Sequence, residues 1–133
     1  MFEIVLNRSR TCVYDIDLYG EDGVTGITLD TGDKVRLILY RRPTATPVIN
    51  LLSGDSATVA GSFVEVTSTV PTPSGDVPRV RVNLGQADLA SIVGSAPLKA
   101  EIIVIDANGS PSNALMGPIH GVAHVISTST VVP

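Results

Sequence analysis

His120 and His124 are the pair whose spacing most invites a metal, because four residues apart on a helix they would set two imidazole nitrogens on one ion. On a strand the same pair shares a face but stands about 13 Å apart, at a rise near 3.3 Å per residue, which is too far to chelate one ion within a chain. The expected role is then a surface or interface position, with a metal only where symmetry brings a second subunit alongside. Asp15 and Asp17, about 7 Å apart on one strand face, have the paired-carboxylate look of a glycosidase. With three Tyr, two Phe and no Trp there is little to stack on a sugar ring, and a solvated strand face is the simpler account. The acidic turns Glu21-Asp22 and Asp30-Thr31-Gly32-Asp33 offer carboxylates for calcium, yet no twelve-residue loop has the EF-hand spacing, so ordinary turn chemistry explains them. Cys12 alternates with Tyr14 and Ile16 and reads as a small buried hydrophobe rather than a nucleophile. As the single cysteine it excludes an intrachain disulfide and a Cys-based zinc site. No elbow exposes a serine, and the common phosphate, dinucleotide, zinc-protease and serine-hydrolase signatures are absent. The residues therefore point to no catalytic group, no resident metal and no cofactor: a non-enzymatic protein.

The elements that would position these side chains are strands. Of 133 residues, 18 are Val, 11 Ile and 12 Thr, the β-branched class that packs well on pleated sheets. The length suits one domain spanning residues 1–133. Charged residues make up 17% and mean hydropathy is +0.33, which excludes a disordered polymer and leaves apolar surface for a partner. Alternation predicts strands over Thr11 to Tyr19, ending at a tight turn over 20–23, and over Lys34 to Arg42. Shorter strands are expected over Pro47 to Leu52, Ser62 to Val70 and Arg79 to Leu84, with long ones over Leu98 to Ile105 and Ile119 to Thr128. The three prolines and the glycine of 70–78 predict an exposed irregular loop, Gln86 to Val93 a short helix, and Asp106-Ala107-Asn108-Gly109 a hairpin turn. Short strands separated by Gly, Pro, Asn and Asp turns predict an all-β fold, an antiparallel immunoglobulin-like β-sandwich with one short helix, though without the Cys, Trp, Cys core of antibody domains. Neither a signal peptide nor an 18-residue apolar run occurs, so no membrane contact is expected. A net charge of −4 and a pI near 4.9 argue against nucleic acid as a partner.

The order of these pieces resembles small β-sandwich modules in virion proteins of tailed bacteriophages, especially the N-terminal domain of the upper baseplate protein family. The resemblance lies in the run from Tyr14 to Gly23, in Ile27-Thr28-Leu29 and in Val35 to Pro43. It continues in Val80 to Leu84 with Asp88-Leu89, in Ala100 to Gly109 and in Gly121 to Val125. It spans roughly Thr11 to Ile126. The chain departs from the pattern in the Pro-rich stretch 71–78 and in having no coiled-coil or fibre extension after the module. The resemblance implies a non-enzymatic structural protein of the virion, made in the host cytoplasm: a capsid decoration (cement) or tail/baseplate accessory subunit contacting other capsid or tail proteins. The competing class is a carbohydrate- or receptor-binding adhesin module.

Two surfaces stand out as protein interfaces. Residues 1–33 carry −5, residues 34–42 carry +4 and residues 43–106 carry −3, so Lys34, Arg36, Arg41 and Arg42 form a basic segment suited to an acidic neighbour. From Ala107 to Pro133 there is no charged residue. With Ile119, Gly121, Ala123 and Val125 toward the core, Val122 and Ile126 fall on the other face beside His120 and His124, followed by Val131 and Val132. Such a neutral, partly apolar face resembles the charge-depleted centre of an interface and predicts a homo-oligomer or a seat on the virion.

Overall fold

The computed structural model describes residues 2–19, 26, 27, 29, 32–42, 46–73, 75–92, 97–105 and 119–126. Eight strands and one helix follow the chain: β1 (Phe2–Asn7), β2 (Cys12–Asp17), β3 (Lys34–Tyr40), β4 (Ile49–Leu52), β5 (Phe63–Thr72), β6 (Gly75–Leu84), α1 (Gln86–Ala90), β7 (Leu98–Ile105) and β8 (Ile119–Ile126). They form two sheets, β1-β8-β7-β3-β4 and β2-β6-β5. The fold is all-β, as the β-branched composition predicts. Period-two alternation turns one face of each strand inward, so Leu37, Leu39, Ile102 and Ala123 of the larger sheet join Ile16, Val64, Val80 and Val82 of the smaller one in a single buried cluster.

Three expectations are corrected. The N-terminal segment, read only for its lack of a signal, is a strand: Phe2, Ile4 and Leu6 alternate with Glu3, Val5 and Asn7. It pairs parallel with β8, from Phe2 opposite Gly121 to Asn7 opposite Ile126, so the sandwich is not wholly antiparallel. The Pro-rich stretch is no irregular loop but the tip of a β5–β6 ribbon whose pairing runs to Thr72 opposite Gly75. Proline is tolerated there because Pro71 lies on an edge strand and Pro78 lies beyond the end of β2, where its carbonyl accepts the Leu18 N–H at 2.9 Å. The helix stops at Ala90, three residues short of the expected end, with Leu89 plugged into the core. A Cβ on Gly85, just before the helix, would stand 2.0 Å from the Ala60 carbonyl oxygen, so only glycine fits. The turns expected at 20–23 and 106–109 lie outside the described residues; Tyr19 and Gly26, which flank the first, form an isolated antiparallel bridge. No helix among the described residues is long and apolar enough to cross a membrane.

Candidate functional site

Strand β8 lies second in its sheet, between β1 and β7, and its burial alternates as the pattern requires. Gly121, Ala123 and Val125 are buried, whereas His120 and Ile126 are exposed and Val122 and His124 half-buried on the outer face. Register then supplies neighbours that the strand's own sequence does not reveal. Val122 stands between Glu3 of β1 and Lys99 of β7, and His120 stands beside Glu101. Charge absent from β8 is therefore restored around its first half by adjacent strands. The second half differs: β7 begins at Leu98, opposite Ala123, so His124 and Ile126 lie beyond its start and next to Val5 and Asn7 of β1. Val5 and Ile126 are 44% and 40% exposed, which makes this end the apolar part of the face. Val131 and Val132 lie outside the described residues.

The two histidines share this face about 13 Å apart by strand rise. Among the described residues no group of three or more potential ligands gathers for a metal. His120 Nδ1 instead lies 3.7 Å from Glu101 Oε1, which accepts a 2.7 Å hydrogen bond from the Tyr40 hydroxyl. That bond holds the Tyr40 phenol above its usual range, with burial and the nearby carboxylate acting in the same direction. This Tyr–Glu–His row crosses three strands, and only the β3–β7–β8 register brings it together.

The basic segment does not form one patch. Lys34 and Tyr40 bracket β3, roughly 20 Å apart by strand rise. Arg36 is tied to Asn50 Oδ1 at 2.5 Å, Arg41 is half-buried with its Nη2 lacking an acceptor, and Arg42 is exposed.

On the smaller sheet the two aspartates are not simply solvated. Arg81 Nε donates to Asp15 at 3.0 Å and Arg79 Nε to Asp17 at 2.7 Å, each with a second, longer bond through Nη2. The Arg81 hydrogen bond draws the Asp15 carboxyl below its usual range, the reverse of what a general acid needs. The alternation of Arg79 and Arg81 on β6 was the sequence signal for these pairs.

Where the edges of the two sheets meet, Tyr14 and Cys12 reach from β2 to β1. The Tyr14 hydroxyl accepts the Val5 N–H at 3.0 Å and donates to the Val5 carbonyl, and the Cys12 sulfur accepts the Asn7 N–H at 3.4 Å. Cys12 is half-buried against the core, more exposed than the buried hydrophobe the alternation predicts. Beside these bonds lies a cleft of about 300 Å³. Comparison with protein families, characterised proteins and solved structures found no match for this chain.

Proposed function

We propose that the chain is an immunoglobulin-like β-sandwich serving as a non-enzymatic structural subunit of a tailed-phage virion, either a capsid decoration or a tail or baseplate accessory protein. The strand order supports the finer fold reading. The series β4-β3-β7-β8 follows the C′-C-F-G order, and β2-β6-β5 the B-E-D order, of a variable-type immunoglobulin sandwich, with the first strand set on the last. The phage placement rests on the sequence resemblance alone.

The observation that carries the assembly role is the neutral, partly exposed end of the large sheet, where Val5, His124 and Ile126 adjoin with Val122 one row away. Apolar side chains depleted of charge and rimmed by Glu3, Lys99 and Glu101 have the anatomy of a protein interface. A second copy of the chain, or a neighbouring capsid or tail protein, covers it, and the exposed Arg42 with Arg41 lies beyond the rim. The adhesin alternative has less behind it, since none of the five aromatic side chains is exposed to stack on a sugar.

Light scattering over a concentration series, with particle incorporation scored in parallel, tests the reading. The wild type is expected to self-associate, and the double variant Val122→Lys, Ile126→Lys to stay monomeric and drop out of particles. A monomeric wild type whose double variant still incorporates would overturn it.

A further inference from the structure

We infer that the cleft between the edges of β1 and β2 is a docking site for an extended peptide that presents a branched aliphatic side chain beside a carboxylate. The site shares Val5 and Ile126 with the proposed assembly face but adds Arg10, Thr11 and Val13 from outside it, and it does not require that face to be an interface.

Three observations on the same residues carry this. Six large hydrophobic side chains are exposed among the described residues, and three of them, Val5, Val13 and Ile126, line this one cleft, Val13 at 53% exposure. Clustering of that kind, rather than scatter, marks a surface built to be covered. Next, the polar groups left over are donors. Asn7 is 4% exposed and lines the cleft, but its Oδ1 already accepts from the Ser9 N–H and hydroxyl, so it offers a ligand no free acceptor. The Thr11 oxygen already accepts from the Gln86 N–H, which leaves its proton to give. Arg10, a donor only, is the sole ionised side chain among the described lining residues. An apolar wall with surplus donors and one positive charge calls for a ligand with acceptors and a negative charge. Last, the cleft follows residues 10–14 along one edge and 5–7 along the other. At strand rise that is a trough about 13 Å long, the length of three or four extended residues rather than of a compact molecule.

The backbone of β1 does not offer the peptide a ladder at this place, because Tyr14 and Cys12 already occupy the N–H groups of Val5 and Asn7. Recognition therefore falls to side chains: an aliphatic group among Val5, Val13 and Ile126, with the carboxylate on Arg10 and the Thr11 hydroxyl.

The test is a backbone-amide NMR titration of the full chain with acetyl-Val-Glu-Val-amide, its Gln counterpart and free isovalerate. The expected result is saturable shifts at Val5, Thr11, Val13 and Ile126 with the Glu peptide. Affinity should fall about fivefold or more for the Gln peptide and for the exposed variant Arg10→Gln, as loss of a charged hydrogen bond implies. Val122→Lys, on the part of the assembly face outside the cleft, should bind like wild type, which shows that the peptide is held by the cleft and not by that face at large. No shift at millimolar peptide, equal binding of the Glu and Gln peptides, or isovalerate binding as tightly as the peptide would each overturn the proposal.

Discussion

The carboxylates of Asp15 and Asp17 acquire their character from strand β6, which places an arginine opposite each. Both pairs are solvent-facing, so they set register and local charge more than overall stability. Asp15 feels Arg81 through a hydrogen bond first; burial opposes it, and the charges of Arg81 and then Arg79 add to the lowering. Its folded carboxyl thus titrates below the unfolded one. The stabilisation is complete above the unfolded value, near 4, and disappears as pH falls through the lowered folded value. In Arg81→Gln the Asp15 midpoint, followed by side-chain carbonyl NMR, should rise toward the ordinary aspartate value. An unshifted midpoint would mean that the pair does not persist in solution. Tyr40 shows the opposite sign: its bond to Glu101 keeps the phenol neutral, favouring the fold below the unfolded tyrosine value, with that contribution lost at higher pH.

At the level of elements, the edge of β1 sets the behaviour of the surface. An unpaired edge is a template for another chain, and here it is closed by side chains from the other sheet, Tyr14 on both polar groups of Val5 and Cys12 on the Asn7 N–H. Tyr14→Phe keeps the ring but frees the Val5 N–H and C=O, at a cost of about 0.5–1.5 kcal/mol per lost hydrogen bond. The expected outcome is a modestly lower urea midpoint with concentration-dependent association through β1, measured by denaturation and light scattering. A variant with unchanged midpoint and association would show that the edge needs no cap. Much of the element pattern was legible in local alternation: Leu98 to Ile105 matches β7 residue for residue, and Leu89 and Ile92 keep their inward helical spacing. What local pattern could not show was pairing. The strand Phe2–Asn7 alternates plainly, but only its parallel pairing with β8 reveals Val5 beside His124. The ribbon at 71–78 was hidden because proline is a poor strand former everywhere except edges and strand ends, and which strand is an edge is a property of the sheet. The Tyr40–Glu101–His120 row and the β1–β2 cleft are hidden for the same reason, since each draws on strands distant in sequence.

In the whole molecule, the first and last described strands are partners, so the larger sheet is complete only when the two ends of the described chain meet. Contacts of that range must be closed against loop entropy before they repay it, which favours slow, cooperative folding. The buried hydrophobics reinforce this, because strands of both sheets and α1 contribute to a single cluster with no seam between them. Leu6 is fully buried in that cluster although it sits on the edge strand β1. Leu6→Ala leaves a cavity worth about 2–5 kcal/mol, against a total stability of the order of 5–15 kcal/mol for a domain. If residues 1–133 fold as one unit, the loss should reach amides far from the site, lowering hydrogen-exchange protection in β6 of the smaller sheet as much as in β7 of the larger, with Tm falling by upwards of about 5 °C. If β1 frays independently, protection should fall only along β1 and at its bonds to β8, and Tm should barely move. Residue-resolved native-state exchange on the variant distinguishes the two, and loss confined to β1 would overturn the single-unit expectation.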